Sequence, residues 1–216
     1  MGLFYTKVEE RWNSLSHGAG ILLGIVFGFF LIRMCVYGGA GAWATFGVWL
    51  YLAGMLSSYI SSTWYHALRH RSRWKPVLRK WDHAAIYWHI AGSYSPITLL
   101  VLREQGFWGW GLFIAVWGCA LLGTVMSFRK LKVHSHLETI SFIGMGLIIM
   151  LAFKPLYETI PHSVYWIIAE GVCYITGALF YSVHKVRYMH TVFHFFVLAG
   201  SLCHLIAVWD MLVRML

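Results

Sequence analysis

Two histidines, His190 and His194, stand four residues apart in the stretch HTVFHFF near the end of the chain. On a helix, residues four apart lie on the same face one turn from each other, so both imidazoles can reach one cation. Neutral imidazole is a good zinc ligand, with Zn–N distances of about 2.0–2.1 Å. A single HxxxH pair is a weak pattern, so the interpretation depends on what else the chain brings to the same place.

A third histidine and two other polar residues lie at the ends of hydrophobic segments, where they could meet this pair. His66 ends the second apolar segment, Ser62 lies one helical turn before it, and Asp82 opens the third segment. Three imidazoles with an open fourth position are the arrangement of a catalytic zinc site. We therefore predict His66, His190 and His194 as metal ligands, with Asp82 as a catalytic group and Ser62 as a supporting hydroxyl.

These residues also have ordinary structural explanations. Asp82 could cap the start of a helix, and Ser62 could bond a backbone carbonyl one turn back. A histidine near a membrane surface can simply face water and lipid headgroups. His66 and His70 form a competing HxxxH pair, although His70 lies within the basic run RHRSR, where like charge opposes a cation.

Other ionisable residues lie within or beside the apolar segments. His134 and His136 are two apart, so they point to different sides of a helix. His204 follows His194 by ten residues, which is about 15 Å along a helix axis and too far to share the site. The sequence leaves open the roles of three further ionisable residues, His89, Glu138 and Glu170. The two glutamates could form a pathway or pair with a nearby histidine or hydroxyl.

The elements that must position these residues are membrane helices. Of the 216 residues, 59% are hydrophobic and only 12% are charged, about half the charged fraction of soluble proteins. A membrane span needs about 20 mostly apolar residues. Seven segments qualify: 17–37, 43–66, 83–102, 108–128, 135–153, 163–184 and 191–212. We predict an all-α seven-transmembrane helix bundle that forms one domain over 1–216, with a short cytoplasmic N-terminal segment, 1–16.

The basic residues predict how this bundle is oriented. With an inward N-terminus, the cytoplasmic segments hold 13 of the 17 lysines and arginines, including the run from Arg69 to Lys80. Cytoplasmic loops carry such an excess, so we predict a multi-pass protein of the bacterial cell membrane with its C-terminus outside. The net charge of +9 follows from this topology. It indicates contact with membrane lipids rather than with nucleic acid.

Small residues predict how some helices pack. Gly20, Gly24 and Gly28 repeat every four residues along the first segment, a spacing that lets another helix approach closely. The four cysteines lie far apart in apolar segments and form no CxxC pair. We therefore expect them to be small packed side chains rather than a disulfide framework.

Four stretches of the sequence carry a specific combination of motifs: NSLSHGAG (13–20), SSTWYHALRH (61–70), KWDHAAIYWHIAGSYSPITLL (80–100) and HTVFHFFVLAGSLCH (190–204). Together they resemble the hemolysin III branch of the progestin and adipoQ receptor family. The resemblance implies a seven-helix bundle with an inward N-terminus and zinc bound by His66, His190 and His194. It also implies that Asp82 holds a water molecule on the metal and that Ser62 supports the site.

Three functions are compatible with these features. The first is zinc-dependent hydrolysis of a lipid amide or ester that enters between helices, with Asp82 as general base; family relatives and the similar alkaline ceramidases suggest such substrates. The second is a sensor or regulator of membrane lipid state, in which zinc is structural. The third is a cytolysin, which the sequence supports least because polar residues for a pore are sparse in the outer half.

Overall fold

The computed structural model describes residues 5–129, 136–183 and 186–216. The regular elements of these residues are helices, and they form the predicted seven-helix membrane bundle. The helices are α1 (Lys7–Gly38), α2 (Gly41–Ala67), α3 (Lys75–Pro96, continued by a π-helical turn at Ile97–Val101), α4 (Phe107–Phe128), α5 (His136–Leu147, a 3-10 segment at Ile148–Ala152, and Phe153–Thr159), α6 (Pro161–Ser182) and α7 (Met189–Met215).

Five of the helices are individually long and apolar enough to cross a membrane: α1, α4, α5, α6 and α7. Their outward faces are apolar, since Leu22, Phe29 and Leu122 are largely exposed. An apolar surface of this extent suits contact with lipid tails. The helices α2 and α3 contain more Trp, Tyr, Ser and His, and many of these polar side chains are buried inside the bundle.

Glycines allow close packing of α2 against both of its neighbours. On the α1 side, a Cβ at Gly24 would lie 2.9 Å from the side chain of Leu56, and one at Gly20 would overlap the ring of Tyr59. On the α3 side, a Cβ at Gly92 would lie 3.0 Å from the carbonyl oxygen of Leu50. The predicted role of the glycine row on the first segment in close helix packing is therefore confirmed.

The break in α5 is stabilised by a side chain from α3. The hydroxyl of Tyr94 lies 2.7 Å from the carbonyl oxygen of Gly146 and accepts a hydrogen bond from the amide of Ile149 at 2.8 Å. A change from α to 3-10 geometry frees backbone groups, which must find partners where lipid offers none. Tyr94 supplies those partners, so α5 can bend without leaving them unpaired.

Two helices begin earlier than their predicted spans. Helix α1 starts at Lys7, ten residues before position 17, and α3 starts at Lys75, eight residues before position 83. Thr6 caps α1, because its hydroxyl accepts the amide of Glu9 at 3.2 Å and the Glu9 carboxylate accepts the amide of Thr6 at 2.7 Å. The added turns are polar yet partly buried, so a search for apolar segments does not detect them.

One end of the bundle collects the start of α1, α3 and α7 with the end of α2. The carboxylate of Glu9 accepts a hydrogen bond from the amide of Tyr188 at 2.9 Å. The carboxylate of Glu10 accepts one from Lys75 at 2.7 Å. Most of the basic residues belong to this end, and we call it the basic end. Its predicted cytoplasmic location stays a prediction. The four cysteines are free, as expected, but Cys119 is exposed and only Cys35 is buried, so the expectation that all four are packed is wrong.

Candidate metal centre

Three imidazoles meet at the basic end, as the sequence predicted. His66 lies next to the end of α2, and His190 and His194 lie in the first two turns of α7. The Nε2 atom of His190 is 3.3 Å from that of His66 and 3.0 Å from that of His194. Nitrogen ligands about 2.0–2.1 Å from a tetrahedral zinc ion lie about 3.3–3.4 Å from each other. Two of the separations are therefore close to this value, and the three nitrogens, all within 4.8 Å of one another, could hold one metal ion.

The other ring nitrogens of two of these histidines are bound to acceptors on α1. Nδ1 of His66 lies 2.6 Å from the carboxylate of Glu10. Nδ1 of His194 lies 3.1 Å from the carbonyl oxygen of Asn13 and 3.2 Å from the hydroxyl of Ser16. A ring nitrogen that donates to such an acceptor carries the proton, so the lone pair is on Nε2. Both rings thus present their unprotonated nitrogens to the common centre.

The Glu10 carboxylate is itself held in place by a cation. Lys75 donates to its second oxygen at 2.7 Å and also to the carbonyl oxygens of Tyr65 at 3.1 Å and Leu68 at 3.0 Å. These carbonyls belong to the last turns of α2, where a positive charge is favourable. Lys75 therefore connects the end of α2 to Glu10 and keeps the carboxylate that orients His66 ionised.

Aromatic rings cover the three imidazoles. The ring of Tyr5 stacks on His190 with centroids 4.7 Å apart, and the ring of His17 stacks on His194 at 3.6 Å. Burial raises the pKa of Tyr5, and so do Tyr181, Tyr65, Glu10 and Asp82. Tyr5 consequently stays a neutral phenol where it stacks on His190. Beneath this cover, His66 and His194 are only 2% and 1% exposed.

Asp82 lies near these residues but not among them. It is two turns inside α3, which begins at Lys75, so its alternative interpretation as a helix N-cap is wrong. Its side chain is 14% exposed and lies 3.7 Å from Nδ1 of His83. Its carboxylate acts electrostatically on Tyr5, which stacks on His190. Among the described residues, the group whose atoms could share one ion consists of the three histidines alone.

Ser62 and the competing histidines lie outside the group of three imidazoles where the structure describes them. Ser62 is buried one turn before His66, and its supporting role stays a prediction. His70 is not part of the group of three imidazoles; its Nε2 lies 3.1 Å from the carbonyl oxygen of Tyr5 and its Nδ1 lies 3.6 Å from the carboxylate of Glu10. His134 lies outside the described residues, and the side chain of His136 is not described.

The residues whose roles the sequence left open are now partly explained. Glu170 and His204 form a pair, with Oε2 and Nδ1 2.6 Å apart, so His204 is separate from the metal centre, as expected. His89 is buried, with Nε2 3.5 Å from the hydroxyl of Ser201. Glu138 is buried in the first turn of α5.

The contribution of α1 to the candidate metal centre was not among the predictions. Glu10, Asn13 and His17 follow each other at intervals of three and four residues and are all buried. That spacing places them on one helix face. The pattern is visible in the sequence, but Glu10 and Asn13 precede the predicted span, which begins at position 17.

Comparisons with known proteins agree with this architecture. Residues 5–205 match the family model described as Haemolysin-III related. The chain is 35% identical over 198 residues to the Hemolysin-3 homolog of Bacillus subtilis, with 91% of each chain covered. It is 34% identical over 195 residues to Hemolysin-3 of Bacillus cereus, covering 89% of this chain and 87% of that protein. The Monocyte to macrophage differentiation factor of Homo sapiens is 26% identical over 214 residues, with 97% of this chain and 87% of that protein covered.

Proposed function

Because the chain belongs to the haemolysin-III-related family of membrane proteins, we propose that it is a zinc-dependent hydrolase of lipid amides or esters. The observation that supports this proposal most directly is the convergence of three imidazole nitrogens within 4.8 Å of one another, from buried His66 and His194 and half-buried His190. Two of the three imidazoles have their opposite nitrogen bound to an acceptor on α1. This is the donor set and the outer hydrogen bonding that zinc sites use.

Each residue of the site has a proposed role. Zinc held by His66, His190 and His194 would polarise a substrate carbonyl and lower the pKa of a bound water to about 7. Asp82 is the proposed general base; it lies at the same end of the bundle, and its carboxylate contributes to the raised pKa of Tyr5, which stacks on His190. Ser62 is proposed to support the site from one turn along α2. Hydrolysis of an acyl bond needs a metal-activated water and a group that accepts its proton, and these residues would supply both.

The proposed substrate is a membrane lipid that reaches the site from the inner leaflet. We place the basic end in the cytoplasm and the C-terminus outside, because 13 of the 17 lysines and arginines then lie inside. The cell membrane is the proposed location. A reporter enzyme that is active only outside the cytoplasm should be active when it is fused after Leu216. Activity of a reporter that works only in the cytoplasm would reverse this orientation.

The test of the proposal is direct. Purified protein with zinc should hydrolyse a ceramide-like amide or its ester analogue. Mass spectrometry of the released fatty acid measures this activity. His194→Ala should lower the rate about 100-fold or more, because it removes a metal ligand. His162→Ala is the matched control, since His162 is exposed at the start of α6. Turnover that survives His194→Ala, or persists after chelation, would exclude this function.

A second candidate function is a lipid-state sensor in which zinc is structural. It is favoured by the stacking of Tyr5 and His17 over His190 and His194, which resembles a closed site. In that case chelation should lower the melting temperature of the protein, and no lipid should be turned over. Hydrolysis that depends on zinc, with little change in melting temperature on chelation, would favour the enzyme.

A further inference from the structure

The interior of the bundle holds a second group of polar side chains beyond the metal centre. Glu170 of α6 and His204 of α7 pair with Oε2 and Nδ1 2.6 Å apart. Their side chains are 10% and 1% exposed, and both helices are apolar enough to cross a membrane. Ionisable groups at such depth are costly and generally mark a functional site. Neither residue takes part in the proposed hydrolysis.

Two buried polar atoms beside this pair have no hydrogen-bond partner within the described part of the chain: Nε2 of His204 and the hydroxyl of Tyr51. The centroids of these two rings are 4.6 Å apart, and both residues are almost fully buried. Buried polar groups are nearly always satisfied, often by ordered water. The two atoms therefore indicate a bound water, which would place an exchangeable proton next to the acid–base pair.

A set of hydroxyl and imidazole groups lies between this region and the candidate metal centre. The hydroxyl of Tyr59 donates to that of Ser201 at 2.7 Å, and the hydroxyl of Tyr174 lies 3.1 Å from the same oxygen. Nε2 of His89 lies 3.5 Å from it. The edge of the Tyr59 ring contacts His17, with centroids 5.0 Å apart. Polar groups from four helices thus follow one another from the basic end towards the middle of the bundle.

The opposite side of the pair is closed by apolar packing. Beyond His204, helix α7 presents Leu205, Val208, Met211 and Leu212, which are fully buried. Leu205, Val208 and Leu212 belong to the core that α7 forms with α1 and α2. Apolar packing of this kind offers no groups for proton transfer, and the polar pair of Asp210 and Ser163 lies further along α7, nearer to the opposite end.

We propose that Glu170 and His204 form a proton-exchange site, reached from the basic end along Tyr59, Ser201 and Tyr174. The pair takes a proton from water and returns it to water, so its carboxylate and imidazole together gain and lose one positive charge. The titratable groups that face the pair from neighbouring helices are Tyr51 of α2, His89 and Tyr94 of α3, Tyr174 of α6 and Cys203 of α7.

Infrared difference spectroscopy of the full-length protein in lipid nanodiscs tests this site. The wild type should show a carboxylic acid C=O band that shifts in D2O and whose amplitude differs between acidic and alkaline buffer. Glu170→Gln should remove that band, whereas Glu104→Gln in an exposed loop should not. A spectrum without any pH-dependent contribution from Glu170 would mean that the pair is a fixed structural contact and would overturn the proposal.

Two further variants keep the test decisive. If Glu170→Gln does not fold, His204→Gln still offers a hydrogen bond to the carboxylate but no imidazole to share its proton, so the pH dependence of the band should differ from that of the wild type. Tyr59→Phe removes the hydroxyl that donates to Ser201, and it should slow hydrogen–deuterium exchange of the band several-fold. Tyr157→Phe alters an exposed tyrosine and should leave the exchange unchanged. Equal exchange in both tyrosine variants would refute the proposed route.

Discussion

The two groups of buried histidines in this bundle contain the same carboxylate–imidazole contact. Glu10 lies 2.6 Å from Nδ1 of His66 at the basic end, and Glu170 lies 2.6 Å from Nδ1 of His204 in the middle of the bundle. They differ in what lies beyond the imidazole. Nε2 of His66 faces the Nε2 of His190 at 3.3 Å, whereas Nε2 of His204 has no hydrogen-bond partner among the described residues.

The two carboxylates also differ in their own surroundings. Lys75 donates to Glu10 at 2.7 Å, so a fixed positive charge compensates that carboxylate. Glu170 has tyrosines close to it, including Tyr51 and Tyr174, which supply no charge. A carboxylate that accepts from an imidazole fixes the tautomer of that imidazole, which suits a metal ligand. The difference in surroundings supports the two proposals, that the Glu10 contact orients a metal ligand and that the Glu170 contact exchanges protons.

Removing one histidine from each group should give the largest contrast. His190→Ala leaves only two imidazoles at the metal centre, so we expect zinc content to fall from about one ion per chain to almost none. His204→Ala should keep the zinc, because His204 pairs with Glu170 away from the centre. Metal analysis of the purified variants by mass spectrometry measures both. Loss of zinc in both variants, with each still folded, would mean that the two groups form one site.

Changing one carboxylate in each group should give a smaller but equally selective effect. Glu10→Gln keeps the shape of the side chain but removes the charge that orients His66. We expect zinc affinity to fall about 10–100-fold, as for other outer contacts of metal ligands. Glu170→Gln should leave the affinity unchanged. Competition with a fluorescent chelator gives the dissociation constants, and an unaltered value for Glu10→Gln would show that Glu10 has only a structural role.

The sequence predicted that His66, His190 and His194 would come together because their depth in the membrane follows from topology. Alternating spans place the end of α2 and the start of α7 at the same end of the bundle, so His66 and His190 must lie at similar depth. The spacing of four residues then adds His194. Neither step depends on how a helix is rotated about its axis. These predictions therefore needed only the approximate ends of the spans, which apolar segments provide.

The missed features depend on information that an apolar segment does not carry. Glu10 contacts His66 only because α1 continues as a polar helix before its apolar part. The pairing of Glu170 with His204 depends on the relative rotation of α6 and α7, which tight contacts such as Gly177 against Phe193 determine. Such a rotation follows from the packing of many side chains together. It is not encoded in the spacing of any one motif.

A single added methyl group should show whether the two groups of histidines are coupled. A Cβ at Gly20 would overlap the ring of Tyr59, which contacts His17 on one side and Ser201 on the other. We expect Gly20→Ala to destabilise the protein by about 1–3 kcal/mol, the usual effect of overpacking. The matched control on the same helix is Gly18→Ala, where a Cβ meets nothing within 4 Å.

Thermal unfolding in detergent measures this stability difference. Zinc affinity and proton exchange, measured on the same samples, show whether a displacement of Tyr59 affects the metal centre, the proton-exchange site or both. If Gly20→Ala alters both properties while Gly18→Ala alters neither, then Tyr59 couples the metal centre to the proton-exchange site. If stability falls but both properties keep their wild-type values, the two groups work independently within one bundle. Overlap of rigid groups in a packed interior lowers the free energy of unfolding. Equal stability of the two variants would therefore mean that the Tyr59 ring moves aside and avoids the added methyl group.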